Sequence, residues 1–378
     1  MMLKRRLSRA VHDLRAGHDD GRRRTAGMYL AVLPAYRQSC MEILVDTFDG
    51  DLRLFVSDRH LDRTVKSGVQ VPGLRMVRMV RLLGNRVFLQ TGHLREALSL
   101  GTLIVDLNPR SITAWMLLVV RRALKKRTLV WGHLHPRAGS ETRTASIRRA
   151  MRRIATGTVS YTYSDQDAAR DELPGQPVWA ATNALYRAED IHPSESPDTA
   201  ERTDVVYVGR FEPAKKVDLL VKAFAAAAEN HPDLRLRLVG DGSRRRYLEE
   251  LSRQLSVADK VHFEGWVDGV AALGDFYARA VCSVSPGFAG LGLTQSLGFG
   301  VPMVVARDEP HSPEIELART GGVLWVDSDS PESMAQGLET AFQQRDRLPA
   351  DDVSQFVRQH YSAETMARGL RDALMGEK

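Results

Sequence analysis

The chain is poor in the features that announce a disulfide scaffold, a zinc module or a membrane span. It has two cysteines in 378 residues. Cys40 and Cys282 lie far apart without metal-ligand spacing, which excludes a disulfide framework and a structural zinc site. Both sit in apolar surroundings and are expected as buried free thiols of a reducing cytoplasm. No run approaches the roughly 18–20 apolar residues of a membrane helix. The best, Trp115 to Val120, opens into Arg121 and Arg122. The segment through Arg24 is charged and lacks the apolar stretch of a secretory signal. The expectation is therefore a cytoplasmic protein, peripheral at most at the inner face of the membrane. An Asp-x-Asp pair at a strand end is also missing. Asp327-Ser328-Asp329 has the spacing but falls in a late loop, so no metal and no other cofactor is expected.

What is present is the composition of a soluble globular protein, 43% hydrophobic and 26% charged. The length exceeds what one core organises, so two domains are expected. A net charge of +6 points to an anionic partner. The basic residues cluster at Arg22 to Arg24, Arg121 to Arg127, Arg148 to Arg153 and Arg244 to Arg246. Such clusters also arise as ordinary solvated helix faces. In segment 147–154, Ile147, Met151 and Ile154 share a helical face flanked by Arg148, Arg149, Arg152 and Arg153. That pattern suits a helix lying on anionic lipid, and it suits a surface helix with an apolar seam. No recognition motif or interleaved aromatics point to nucleic acid.

The second half is punctuated clearly. Val205 to Val208 reads as a buried strand ending at Gly209, followed by a helix over 216–230 with Val217, Leu220, Val221 and Phe224 on one face. Arg235 to Val239 is the next strand, closed by Gly240-Asp241-Gly242, with further strands at Val261 to Phe263, Val281 to Val284, Met303 to Val305 and Val323 to Val326. In the first half, strands are expected at Met28 to Leu33, Leu52 to Val56, Val87 to Gln90, Leu103 to Leu107, Thr128 to Trp131 and Thr158 to Tyr163. A helix is expected from Ser111 towards Lys126. Strands alternating with helices imply parallel sheets. The predicted architecture is α/β, with two Rossmann-like doubly wound domains facing across a cleft. The first covers 1–191, residues 192–203 are the linker, and 204–357 form the second. A C-terminal helix near 358–378 packs back on the first domain.

Ligands of open parallel sheets bind beyond the carboxyl ends of the strands. At one such end stands Gly209-Arg210-Phe211-Glu212-Pro213-Ala214-Lys215-Lys216-Val217-Asp218, leading into a helix. Two cations beside a helix N-terminus neutralise a diphosphate without metal, which makes Arg210 and Lys215 candidates for that task. A second small-residue turn, Pro286-Gly287 followed by Ala289-Gly290, enters a helix near Leu291. The N–H groups of Gly290 and Leu291 are candidates for a close approach to phosphate, although close helix–sheet packing asks for the same small residues.

These segments resemble the retaining GT-B glycosyltransferases of family 4. GRFEPAKKVDLLVKAF is similar to that family's G-R-L-x-x-x-K-G-x-D-x-L-L, and LRLRLVGDGSRRRYLEEL, VHFEGWV and VSPGFAGLGLTQSLGFGVPMVV follow in the same order. The resemblance is good over 205–330 and holds only in outline over the first half. It implies two Rossmann-like domains and transfer of a sugar from a nucleotide donor with retention. It further implies that Arg210 and Lys215 hold the donor diphosphate, with Gly209 and Gly242 in the donor-binding strand ends. Trp266 falls where the family places a loop beside the base, so it covers the base or packs in the core. His133, in Trp131-Gly132-His133-Leu134-His135, is the first candidate for the family's histidine near the reacting carbon, and His135 the second. Asn183 resembles the turn that closes the family's first domain.

The family's Glu-x7-Glu pair is absent. Registered on Gly300-Val301-Pro302, the two glutamate positions hold Gly287 and Gln295; registered on the earlier glycines they hold Ala289 and Leu297. The first register leaves Gln295 to hydrogen-bond the ribose. Glu314 or Glu316, in Pro310-His311-Ser312-Pro313-Glu314-Ile315-Glu316, then stands in for the missing first glutamate, with helix capping as the other role open to them. The glycine-rich acceptor loop is also missing, replaced by Leu33-Pro34-Ala35-Tyr36-Arg37. The resemblance thus implies a hexosyltransferase acting on a nucleotide-sugar donor and a hydroxyl acceptor, in polysaccharide or glycolipid biosynthesis. An epimerase or hydrolase of nucleotide sugars, and a non-catalytic transferase-like binding protein, are the rival readings.

Overall fold

A computed structural model describes residues 25–61, 66–135, 143–193 and 201–377. The basic run Arg22 to Arg24 and most of the expected linker, 194–200, lie outside the described residues. The chain divides into two compact units: one runs to Arg187 and resumes at Ser362, and the other is Ala188–Tyr361.

The first unit opens with β1 (Ala26–Leu30), β2 (Arg53–Val56) and β3 (Leu74–Met76), then β4 (Arg78–Leu82) and β5 (Val87–Thr91), then β6 (Thr102–Asp106), β7 (Arg127–Trp131), β8 (Gly157–Ser160) and β9 (Val178–Ala180). Seven of these form one parallel sheet in the order β3-β2-β1-β6-β7-β8-β9. The strand expected at Val87 to Gln90 exists but belongs to a separate antiparallel hairpin with β4. Its polar turn, Leu83 to Arg86, allows the chain to double back rather than cross over a sheet face.

Helices α1 (Gln38–Thr47), α2 (Leu94–Ser99), α3 (Ile112–Ala123), α4 (Arg143–Ile154) and α5 (Tyr163–Glu172) connect the strands. Successive strand residues face opposite sides. Leu54, Ile104 and Leu129 therefore pack on Met41 and Leu44 of α1, while Phe55, Leu103, Val105 and Val130 pack on Leu117, Leu118 and Met151. With both faces covered, the strands read as nearly unbroken apolar runs.

The second unit is a six-stranded parallel sheet of β10 (Asp204–Val208), β11 (Arg235–Val239), β12 (Val261–Gly265), β13 (Ala280–Ser285), β14 (Met303–Ala306) and β15 (Val323–Val326). The order is β12-β11-β10-β13-β14-β15, the doubly wound Rossmann arrangement. Its helices are α6 (Val217–Asn230), α7 (Arg245–Gln254), α8 (Val270–Ala278), α9 (Leu291–Gly298), α10 (Pro331–Gln343) and α11 (Asp351–His360). The alanine-rich α6 has high helix propensity and buries Leu220, Val221 and Phe224. A last helix, α12 (Ala363–Met375), is capped by Ser362 and adds Met366, Ala367 and Leu370 to the first unit's core.

Two arginines of the basic clusters are internal and a third, Arg148, is half-buried, which corrects the picture of solvated or lipid-facing rows. Arg121 is fully buried and donates to the carbonyls of Ala97 at 2.8 Å and Leu100 at 2.9 Å, which the end of α2 leaves open, and to that of Arg127, at the start of β7, at 2.8 Å. Arg152 pairs with Glu172 at 2.5 Å and donates to Ala169 O at 2.7 Å. Arg148 donates to His133 O at 2.5 Å. Met151 is buried while Ile147 is exposed, so α4 presents no continuous apolar seam framed by four free arginines. Cys40 and Cys282 are buried free thiols, each pushed up to about 12 by burial. Among the described residues no helix is long and apolar enough to cross a membrane.

Candidate functional site

In the second sheet the strand order reverses between β10 and β13, and the loops leaving the neighbouring strands are stitched together there. Gly209 N–H donates to Val239 O at 2.9 Å, Gly240 N–H to Gly265 O at 2.7 Å, and Phe211 N–H to Asp241 O at 2.9 Å. Gly242 crosses so close to the next strand's loop that a Cβ there would lie 2.6 Å from Phe211 O. A Cβ at Gly287 would lie 2.5 Å from Ala214 O, so the loop after β13 rests directly on the Pro213–Lys215 turn. Small residues are required here because backbone meets backbone.

The cations of the motif divide their tasks. Lys215 Nζ donates to Phe288 O at 3.2 Å and lies 3.5 Å from the Phe288 ring centroid, at the entrance to α9. Arg210 is exposed at the end of β10, and its carbonyl accepts the Tyr207 hydroxyl at 3.0 Å. Lys216 occupies the position where the resembled motif has glycine. It is left-handed at φ 51°, and its ammonium is held by Asp329 at 2.7 Å and Glu309 at 2.5 Å. Donating to Asp329, and likewise to Glu309, raises its pKa.

Gly290 is the residue before α9, and Leu291 its first residue. The first N–H groups of a helix have no intrahelical acceptor and carry the positive end of its dipole. The turn is held from below. Ala289 N–H donates to His311 Nδ1 at 3.0 Å, His311 Nε2 lies 3.3 Å from Arg307 O, and Ser312 N–H donates to Ala289 O at 2.9 Å. These contacts select the neutral tautomer with the proton on Nε2. Burial lowers the His311 pKa, in keeping with an accepting Nδ1.

The other expected donor residues fall at the same edge with different freedoms. Gln295 is 6% exposed, one turn into α9. Glu314 is 2% exposed, two residues after Ser312, whose Oγ would lie 3.3 Å from a Cβ on Gly290. Glu316 instead accepts a hydrogen bond from the Tyr361 hydroxyl. Trp266 is 65% exposed and donates to Asp268 at 2.7 Å, so of its two sequence readings core packing is ruled out.

His133 lies in the first unit, at the edge of a cavity of about 670 Å³ beyond the carboxyl ends of β1, β6, β7 and β8. Its ring is 4.8 Å from that of Tyr161. His135 faces Glu172 at 3.3 Å and is not part of the cavity lining. Sequence reasoning passed over Asp106, the last residue of β6, which lines the cavity and accepts Ala31 N–H at 2.5 Å. Burial, partly offset by that N–H and by Arg37, pushes its carboxyl up to about 7. The signal was available: a carboxylate ending a buried strand just before Asn108-Pro109. Among the described residues no cluster of His, Cys, Asp or Glu suited to a metal ion forms.

Residues 189–375 match the family described as "Glycosyl transferases group 1". Over 138 residues the chain is 32% identical to an uncharacterized glycosyltransferase of Methanocaldococcus jannaschii, covering 36% of this chain and 34% of that protein. Over 115 residues it is 36% identical to a D-inositol 3-phosphate glycosyltransferase of Nocardiopsis dassonvillei, covering 27% of each. The likeness thus spans between about a quarter and a half of such relatives' length. HepE of Anabaena in complex with UDP superposes with a TM-score of 0.68 at 13% identity, over 93% of this chain and 100% of that one. The pneumococcal O-GlcNAc transferase GtfA, in complex with UDP and GlcNAc, gives 0.63 at 11%, over 93% and 99%. The fold is accordingly GT-B, with two Rossmann-like domains.

Proposed function

We propose that this chain, whose residues 189–375 belong to the glycosyl transferases group 1 family, moves a hexosyl group from a nucleotide diphosphate sugar to a hydroxyl acceptor. The observation that carries this reading is the turn at the β10/β13 switch point. There the Lys215 ammonium, the exposed Arg210 and the N-terminus of α9 gather at one strand edge. An anion at that edge meets two cations and oriented N–H groups whose positions are fixed before it arrives. Arg210 and Lys215 stabilise the departing diphosphate, Gln295 meets the ribose, Trp266 covers the base, and Glu314 is better placed than the Tyr361-bound Glu316 to meet the sugar.

The chemistry in this reading is retaining and metal-independent. The bond from the anomeric carbon to the diphosphate oxygen breaks, the acceptor oxygen bonds to the same face of that carbon, and the acceptor proton passes to the leaving phosphate. Front-face attack rests on the family resemblance. His133 serves as a hydroxyl-binding group on the acceptor side. The glycan, glycolipid or small-molecule nature of the acceptor belongs to the first unit's chemistry. Contact with an anionic membrane has less to rest on than the sequence offers, because Arg148 and Arg152 are engaged inside the protein.

Titration calorimetry against UDP-, GDP- and ADP-sugars tests the reading, with UDP-sugars first because UDP occupies the similar HepE structure. Micromolar to millimolar binding of one class is expected, lost at least a hundredfold in Arg210→Glu and Lys215→Glu. Absence of binding to every nucleotide, or unchanged affinity in both variants, refutes it.

A further inference from the structure

The cavity of the first unit is built from side chains, and most of its charges have one sign. Arg37, Arg110 and Arg148 line it, against Asp106 as the one carboxylate among its described lining residues. Arg37 is 7% exposed, held by the short turn Ala35–Arg37 that follows β1. Its guanidinium carbon stands 4.5 Å from the Trp131 ring centroid, 5.2 Å from Tyr161 and 5.5 Å from Tyr36. No carboxylate forms an ion pair with it among the described residues. Arg37 Nε and Trp131 Nε1 are both buried without a hydrogen-bond acceptor there.

The groups that favour the charge of Arg37 are the phenols of Tyr161 and Tyr36 and the Asp106 carboxyl, which burial raises to about 7, so no fully ionised counter-charge stands beside it. A buried cation in that condition is one that an arriving anion stabilises. Arg148, half-buried at the same cavity, is the cation with the larger deficit, since burial lowers its pKa despite the fields of Asp165 and Tyr161. The volume, about 670 Å³, suits a ligand of one or two sugar rings. Aromatic rings beside a guanidinium also suit a polyhydroxylated ring bearing a carboxylate or phosphate.

We propose that this cavity is the acceptor site and that it selects an acceptor carrying an anionic group, held by Arg37 with Arg148. Its identity as acceptor site rests on the transferase reading above; its preference for an anion rests on the cavity alone. Asp106, at the opposite chemical extreme, is left to meet a hydroxyl. Neutral sugars of the same size lack the group that offsets the buried cation and bind more weakly.

The test uses the whole chain with glucose 6-phosphate, glucuronate and glucose as probes, titrated by calorimetry in saturating UDP so that the diphosphate site is filled. Both anionic sugars are expected to bind at least tenfold more tightly than glucose. Arg37→Gln is expected to lose at least tenfold of that affinity, and Arg37→Lys to regain part of it, while UDP affinity measured separately stays unchanged. If Arg37→Gln does not fold, Arg148→Gln carries the same expectation. No binding of either anion, affinities within threefold of glucose, anion binding seen only without UDP, or full affinity in both glutamine variants overturns the proposal. Loss of UDP binding in the wild type is a separate result and bears on the donor reading.

Discussion

The two units share a strand order at their centres and differ in what stands at the carboxyl edge. In the second, strand ends close on Gly209, Gly240, Gly242, Gly287 and Gly290, and backbone lies on backbone within hydrogen-bond distance. In the first, only β7 of the sheet ends on a glycine, Gly132, while Ala31, Leu107 and Tyr161 follow β1, β6 and β8, and the space between them is shaped by Arg37, Asp106, Trp131 and Tyr161. One edge offers N–H groups and a helix terminus, which suit any phosphate. The other offers side chains, which suit one particular ligand. A fold used twice thus separates a generic task from a specific one.

The largest effect should follow from adding one carbon to the backbone-built edge. In Gly287→Ala the new Cβ meets Ala214 O, which cannot swing away as a side chain end would. A stability loss of about 1–3 kcal/mol, read by denaturant midpoint, and a loss of UDP affinity of at least a hundredfold are expected. Unchanged affinity would show that the two loops are not in contact in solution.

A comparable loss in the other unit should need a side-chain deletion. Arg152→Met leaves Glu172 with only Arg149 and His135, and removes the donor to Ala169 O. About 2–4 kcal/mol of stability should go, with UDP affinity unaltered. A stable variant would mean that Arg152 is solvated, as the sequence alone suggests.

His311→Ala withdraws the acceptor from Ala289 N–H without touching any ligand group, and should weaken UDP binding about tenfold. The wild type should show the same weakness in acid. His311 is lowered in the folded state, so its contribution is fully present above the unfolded value near 6.5 and lost as pH falls through the folded one. Calorimetry between pH 5 and 8 reads both.

Asp106 gives the smallest and most directional change. Its folded value is raised from 3.8 to about 7, so the folded chain holds a proton that the unfolded chain has released. Stability should fall as pH rises through that window, by about 1.4 kcal/mol per unit at most for one proton. Asp106→Asn should lack this slope and gain on the wild type between pH 5 and 8. Parallel profiles would place the carboxyl in water.

The same contrast explains what the sequence reveals. Every strand of the second sheet is legible, since each is a short apolar run ended by a turn signal, and the cations and small residues that follow come in linear order. In the first unit β3 and β9 escape notice, being three residues each, and β4 does so because none of its residues is buried. Buried arginines are invisible for another reason. Arg121 and Arg152 sit at helical positions that read as solvated, and their acceptors come from distant segments at Ala97, Leu100, Ala169 and Glu172. Arg37 was on view in the loop Leu33 to Arg37, but only the fold brings Trp131 and Tyr161 around it.

Amide chemical-shift mapping during a UDP titration tests the central claim most directly, because it reads both edges at once. The Gly290 and Leu291 amides should shift most, followed by Gly209 and Gly242, with Ala31 and Asp106 unmoved. Large shifts at Ala31 and Asp106 with Gly290 and Leu291 still would place the nucleotide on the first sheet and contradict the division of labour between the two units.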